Sequence, residues 1–480
     1  MRPIHGRLYV KGSWQETSVS FPVSDPATGR EVGTAADAGP AETTAAVEAA
    51  ATAFPDWAAL TAGERAAAIR RLSGSLLEAA DEIADVIVAE QGKPRGQAAW
   101  EVRYATEWLD WFAEEGRRAY GRVIPATTTG KRLTVLRQPV GPAVAITPWN
   151  FPVAMIARKL APALAAGCTM VVKPAEQTPL SAVKLFEAVD AAGLPPGVAN
   201  LITSADPEAI APALLEDPRV RKITFTGSTE VGKILVRASA ANLTRVSLEL
   251  GGHAPFMVFD DADLDEAVSG LLASKFQVNA QSCLCPNRIY VQRPVLDAFA
   301  ERLRDAMGSM RVGRGDEEGT DLGPLIDERA YEKVRLHVED AVRRGARITC
   351  GGGRVSGGPF EDGYFFEPTV LADCADDMLI AREETFGPVV PVFAFDDEHE
   401  VTARANDSRY GLAAYLYTRD LGRATRVSEA LEYGLVGIND PRPASPVAPF
   451  GGFKGSGLGR EGGSEGLDEF METKLVSTVF

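Results

Sequence analysis

Cysteine is scarce in this chain, five among 480 residues. That is too sparse for a disulfide framework and suits a reducing cytoplasm. The four histidines are scattered singly, as are Cys168, Cys350 and Cys374. Cys283 and Cys285 would be half of a metal site, but a structural zinc needs about four ligands, so no metal is expected. Positive charge is in deficit: 50 Lys and Arg against 66 Asp and Glu, a formal net charge of −16. This disfavours nucleic acid and anionic membranes as partners, while leaving room for a local basic pocket. Long apolar runs are missing. The longest, at about 160–172, is broken by Pro162 and Gly167, short of the roughly 18 residues that suggest a membrane span. The start, Met1-Arg2-Pro3-Ile4-His5-Gly6, lacks the apolar core of a signal peptide, and a cytoplasmic location is expected. There is no G-x-x-x-x-G-K-(S/T) loop. Gly457-Leu458-Gly459-Arg460-Glu461-Gly462 has the G-x-G-x-x-G spacing, but it follows no expected strand and opens no β-α-β unit, so it is set aside as a phosphate loop.

What is present reads as an ordinary globular protein, 45% hydrophobic and 24% charged, and too long for one core. Two large lobes and a smaller appendage are expected. Residues 7–34 carry short strands and turns. Residues 41–120 are rich in Ala, Glu and Arg at helical spacing, broken near Pro55, Gly63 and Gly92-Lys93-Pro94, and read as scaffold. From about 132 the pattern changes. Strands are expected at 133–136, 140–147, 169–172, 199–202, 222–226 and 245–250, and helices at 153–165, 179–192, 207–215 and 230–238. Such alternation implies a doubly wound, mostly parallel α/β sheet with ligands at the carboxyl ends of its strands. A second α/β lobe runs from about 251 to 440. The end, 475–480, reads as a strand that wants a partner.

The chemistry centres on Asn279-Ala280-Gln281-Ser282-Cys283-Leu284-Cys285, between an expected helix at 264–277 and a strand at 288–292. A thiol on such a turn is placed at a cleft edge, where its thiolate is a strong nucleophile. The bland alternative is a small buried hydrophobe. Polar neighbours Asn279, Gln281, Ser282 and Asn287 argue against that. Glu249 ends a strand beside Gly251-Gly252, as a base or as a solvated or ion-paired charge. Asn150, between Trp149 and Phe151, is an oxyanion donor or a turn residue. Lys173 and Glu176 fall at a strand end where both can grip a ribose. Phe225-Thr226-Gly227-Ser228 leads into a helix start that favours a pyrophosphate, although Ser is also an ordinary cap.

Together these motifs resemble the aldehyde dehydrogenase superfamily over nearly the whole chain. The residues that carry the likeness are Thr147-Pro148-Trp149-Asn150-Phe151-Pro152, Phe225–Ser228, Glu249–Gly252, the Cys283 segment, 383–388 and Pro449-Phe450-Gly451-Gly452. The resemblance implies that Cys283 attacks the aldehyde to give a thiohemiacetal, that Asn150 and the Cys283 N–H form the oxyanion hole, and that Glu249 activates the water that hydrolyses the thioester. It places Thr147, Pro148, Trp149, Lys173, Glu176, Gly227, Ser228, Glu384 and Phe386 at the cofactor. A carboxylate at Glu176 would repel a 2′-phosphate, so NAD is expected ahead of NADP. It also implies a cofactor-binding domain at 1–120 and 140–250, a catalytic domain at 251–455, and an oligomerisation arm at 121–139 and 466–480, hence a homodimer or homotetramer.

Within the superfamily the chain is most similar to succinate-semialdehyde dehydrogenases. That likeness assigns Arg158 to the substrate's far carboxylate, a task its two-pronged guanidinium suits, and Ser445 to the same pocket. A helix-surface ion pair is the alternative for Arg158. One position departs: Gln277 stands where those enzymes commonly carry a second arginine. We expect Arg442 to restore the charge from the opposite wall. The departure leaves other anionic aldehydes open, of the glutarate, 2-oxoglutarate or sulfolactate semialdehyde type. Cys285 matches a cysteine that in some relatives forms a strained, labile disulfide with the nucleophile; a spectator thiol is the equal alternative. A CoA-acylating enzyme or a catalytically silent homologue are rivals, against which Glu249 and the joint presence of Cys283, Glu249 and Asn150 speak.

Overall fold

The Ala- and Glu-rich stretch folds as four helices, α1 (Pro40–Ala59), α2 (Ala62–Glu78), α3 (Ala80–Gln91) and α4 (Arg95–Glu115), in the computed structural model, which describes residues 3–480. Met1 and Arg2, part of the segment read for a leader, lie outside the described residues. The break expected at Pro55 is absent. α1 continues through it, keeping Trp57 buried with its indole N–H on the Leu164 carbonyl at 3.2 Å. Near Gly63 the chain does restart: Thr61 and Glu64 form a reciprocal cap at the start of α2, which satisfies two otherwise orphan N–H groups. Gly92 ends α3 at φ +84°, a conformation that favours glycine.

Four helices then alternate with strands: α5 (Ala154–Ala166), α6 (Pro179–Ala191), α7 (Pro207–Leu215) and α8 (Thr229–Ser239). The strands form one eight-stranded sheet. Its order is Gly457–Leu458, Arg245–Glu249, Lys222–Thr226, Ala143–Ile146, Met170–Lys173, Ala199–Leu201, Leu8–Val10, Ser13–Gln15. The inner pairs are parallel and the outer ones antiparallel. The chain winds one way from Ala143–Ile146 and the other way from Lys222–Thr226, so the switch point lies between these two strands. Ligands bind such sheets there, and the residues leaving the two strands are Thr147–Asn150 and Gly227-Ser228. Gly457–Leu458 is itself an edge strand, with Gly457 opposite Glu249. It opens no β-α-β unit, and it brings the glycine-rich tail back onto the eight-stranded sheet.

The second lobe carries α9 (Leu264–Lys275), α10 (Leu296–Gly308) and α11 (Glu328–Arg343) around a seven-stranded sheet, parallel except for the edge pair Arg347–Cys350 and Thr369–Ala372. The last strand, Met471–Val479, pairs antiparallel with Lys131–Pro139, which also holds Arg122–Ile124. Both long strands exceed the four to six residues expected from apolar content, because an exposed ladder needs hydrogen bonds rather than a buried face. Among the described residues no helix is long and apolar enough to cross a membrane.

Candidate active site

The helix before the nucleophile stops at Lys275, two residues earlier than expected, and the chain turns sharply. Val278, Asn279 and Ala280 follow one another at φ +50°, +55° and +60°. Three successive non-glycine residues in the left-handed region are strained, so the surroundings must hold them. The Asn279 side chain does so: Nδ2 donates to the carbonyls of Pro324 and Gly92 at 2.9 and 3.2 Å, and Oδ1 accepts from Gly323 N–H at 2.8 Å. Gln281 Oε1 accepts from Ile326 N–H. The turn delivers Cys283, partly exposed, to a cleft. Cys285 faces away: it is fully buried, its Sγ donates to the Lys275 carbonyl at 3.0 Å, and burial pushes its thiol up to about 11. All five cysteines are free.

Cys283 stands where two cavities meet. One, of about 320 Å³, lies at the switch point and is lined by Pro148, Trp149, Asn150, Gly227, Ser228, Glu384 and Phe386 among others. The second, about 70 Å³, is lined by Tyr104, Met155, Arg158, Leu284, Tyr415 and Phe450 among others. Among the described residues Cys283 is the one that lines both. Beyond the second cavity is a vestibule of about 550 Å³. Trp100, Phe151, Gln277 and Arg442 line both inner cavity and vestibule and so form the neck.

The first cavity has the features of a dinucleotide cleft. Ser228 caps α8, its hydroxyl accepting from Val231 N–H, and the helix start presents unpaired N–H groups to an anion. Glu384 is fixed by Gly252 N–H at 2.9 Å. Phe386, at φ +59°, stands edge-on to Trp149 with ring centres 5.5 Å apart. Thr147, Lys173 and Glu176 are not in this lining. Thr147 and Lys173 are buried at the carboxyl ends of adjacent strands, where Lys173 pairs with Glu176 at 3.3 Å; Glu176 opens instead on a neighbouring depression. Arg329 and Lys333, one helical turn apart on α11, also line the cleft. They went unread because nothing in the sequence ties that helix to the switch point.

Asn150 is buried beside Cys283. Its Oδ1 accepts from Phe151 N–H, and Nδ2 donates to the Gln281 carbonyl at 3.0 Å, leaving a second amide hydrogen free. Glu249 departs from expectation. It lies at its strand end, but in neither cavity lining, and its Oε2 has no hydrogen-bond partner. Gly451 makes room for it: a Cβ there would lie 2.9 Å from Oε1. Burial, with the nearby Glu461 carboxylate, pushes Glu249 well above the usual carboxylate range, against Arg158 and Lys159. Burial also pushes the Cys283 thiol up, reinforced by Glu384 and Glu249 and opposed by Arg158.

Arg158 lines the inner cavity but is not a free cation. It pairs with Glu461 at 2.7 Å and lies between the rings of Phe450 and Trp108, 3.9 and 4.6 Å away. Lys159 pairs with the same carboxylate and donates to Thr226 Oγ1. Glu461 belongs to the glycine-rich segment set aside as a decoy. Gln277 turns its amide to the Ala273 carbonyl at 3.2 Å, while Arg442 is exposed at the neck with its main-chain N–H on Asp440. Ser445 is absent from the lining. Pro441, Arg442 and Ala444 form that wall, and the Ser445 carbonyl closes a turn to Ala448. Finally, α4 is more than scaffold. Its aromatic ladder Trp100, Tyr104, Trp108, Phe112 supplies two wall residues; spacing of four was its only signal, and core packing explains that spacing equally well.

Known proteins resemble this chain along nearly its whole length. The Aldehyde dehydrogenase family model matches residues 14–476. The chain is 51% identical to a glutarate-semialdehyde dehydrogenase of Pseudomonas putida over 98% of its length and 97% of the relative's. It is 50% identical to an NADP(+) succinate-semialdehyde dehydrogenase of Escherichia coli, over 97% and 96%. A crystal structure described as an E. coli NADP dependent enzyme superposes with a TM-score of 0.97 at 49% identity, covering 99% of this chain and 98% of that one. The chain belongs to the aldehyde dehydrogenase family and is an NAD(P)-dependent enzyme that oxidises aldehydes.

Proposed function

We propose that the substrate is an aldehyde with an anionic far end, succinate semialdehyde first, and that Cys283 is the nucleophile. The observation that carries this reading is the position of Cys283 as the one residue shared by the dinucleotide cleft and the cavity behind the neck. An aldehyde entering through the neck meets the thiol with the cofactor cleft on its other side. The Cys283 sulfur adds to the carbonyl carbon, and the oxygen of the resulting thiohemiacetal takes up negative charge. The free hydrogen of Asn150 Nδ2 and the Cys283 N–H are the donors for that oxygen. A nicotinamide dinucleotide in the cleft would supply the hydride acceptor, and Glu384 and Phe386 would hold its nicotinamide end and Ser228 its pyrophosphate. The thioester left on Cys283 is hydrolysed by water that Glu249 deprotonates. The raised proton affinity of Glu249 suits a base working near neutrality, and its partnerless oxygen leaves it free to turn. On this reading the eight-stranded lobe binds the cofactor and the seven-stranded lobe carries the nucleophile.

Two cations recognise the anionic end. Arg158 acts from the cavity wall with its charge shared with Glu461, and Arg442 acts from the neck. Because Arg442 is the outer and unpaired one, a longer anion of the glutarate type is the second reading. The relative named for glutarate semialdehyde is consistent with it. NAD is the cofactor that Glu176 supports, although a relative's name carries NADP(+). The small terminal sheet leaves Val123, Leu475, Val479 and Phe480 exposed, which supports a homodimer or homotetramer. A reducing cytoplasm, in which the Cys283 thiol stays free, belongs to the same reading. Initial rates of NADH and NADPH formation with neutral and acidic aldehydes of graded length test it. Fast turnover of succinate semialdehyde with NAD is expected; preference for neutral aldehydes would overturn it.

A further inference from the structure

The connection between α3 and α4 is buried although it carries a lysine. Gln91 and Lys93 are both 0% exposed. Lys93 Nζ donates to Glu101 Oε2 at 2.5 Å and to the main-chain carbonyl of Asn150 at 2.6 Å, above the face of Phe151. Glu101 Oε1 accepts in turn from Val153 and Ala154 N–H at 2.9 and 3.1 Å, so the pair fixes both the Asn150 main chain and the start of α5. One residue earlier, the Gly92 carbonyl accepts from Asn279 Nδ2, and Gln97 Oε1 accepts from Val278 N–H at 2.6 Å. The same short connection therefore grips the Asn150 segment with one residue and the strained turn before Cys283 with the next. A buried ion pair is an expensive way to join helices, since apolar packing does it at no desolvation cost.

We propose that Lys93, supported by Glu101, is the positioning residue of the oxyanion hole: it sets the Asn150 main chain so that Nδ2 and the Cys283 N–H aim at one point. The proposal rests on the reading of Asn150 and Cys283 given above. Misplacement by about 1 Å at such a site costs on the order of 100-fold in rate.

The test compares K93M, the charge-free double variant K93M/E101M, and N150A. One readout is the single-turnover rate of NADH formation. A second is cleavage of 4-nitrophenyl acetate without cofactor, in which the Cys283 sulfur bonds the acetyl carbon and 4-nitrophenolate leaves with the electron pair of the broken C–O bond. NAD affinity by tryptophan fluorescence and cooperative thermal unfolding complete the set. Both lysine variants are expected to lose the same factor, about 30- to 1,000-fold, in both reactions, with NAD affinity within about two-fold of wild type. Should K93M not fold, the double variant, which leaves no unpaired charge, gives the answer. Wild-type rates in K93M/E101M while N150A is impaired would overturn the positioning role, as would loss confined to NADH formation. Intact rates in N150A would overturn the oxyanion reading itself.

Discussion

Arg158 and Glu461 form a buried ion pair at 2.7 Å, clamped between the rings of Trp108 and Phe450. The guanidinium in the substrate cavity is thus already largely neutralised, and Lys159 shares the same carboxylate. Burial alone would raise Glu461, but Lys159 and Arg158 together hold it below the usual carboxylate range. At the neck stands Arg442, which makes no ion pair among the described residues.

Arg442→Ala should therefore raise KM for succinate semialdehyde by about 10- to 100-fold, the worth of a charge-assisted hydrogen bond, with kcat little changed. KM for butanal, which has no anionic end, should stay put. Gln277→Arg should lower KM for the acidic aldehyde from the facing wall. Steady-state kinetics on the two aldehydes decide it; equal effects on both would remove Arg442 from recognition.

The acyl-enzyme should hydrolyse faster as pH rises. Glu249 acts as a base only when ionised, and burial first, then Glu461, keeps it protonated above the ordinary range. The rising limb in the hydrolysis rate should accordingly lie above the usual carboxylate titration and vanish in Glu249→Gln. A slope that survives that substitution would assign the base elsewhere.

Lys275 makes a stability prediction. It is fully buried, among the described residues its Nζ meets only the Asn287 side-chain oxygen, at 2.8 Å, and burial lowers it from 10.5 to about 8. A depressed lysine contributes stability that is present above its unfolded value and lost as pH falls through the folded one. Unfolding free energy should drop between about pH 10.5 and 8 in the wild type. In Lys275→Met that drop should shrink, as denaturant titrations across the window would show.

Ala280 sits at φ +60° with its methyl group fully buried in the core of the second lobe. Glycine there removes ~1–2 kcal/mol of left-handed strain, but costs ~0.5–1 kcal/mol of chain entropy and about 0.8 kcal/mol for the lost buried methyl group. Ala280→Gly should therefore stay within about 1 kcal/mol of wild type in chemical unfolding, and a loss beyond about 1.5 kcal/mol would mean the turn is not strained.

Much of this architecture was legible because its signals are local. Strand–helix alternation from 143 to 249 follows from periodicity, and Asn150, Ser228 and Glu249 could be placed because each lies within a few residues of a strand end. Contacts between distant segments were not legible. Nothing near Arg158 announces Glu461, which sits in a glycine-rich segment whose spacing pointed to phosphate. Lys93 reads as a polar residue in a helix break until its amine is seen on the Asn150 carbonyl. The turn at 278–280 was hidden for another reason: left-handed turns are usually marked by glycine, and here Val, Asn and Ala take those angles, held by Asn279.

By stalling hydrolysis, Glu249→Gln should trap the acyl group on Cys283. With NAD and succinate semialdehyde, mass spectrometry of the digested variant should find one succinyl group on the peptide 279–285, localised by fragmentation to Cys283, after a burst of one NADH per active site. An adduct on Cys285, or a burst with no acylated cysteine, would mean that Cys283 is not the nucleophile.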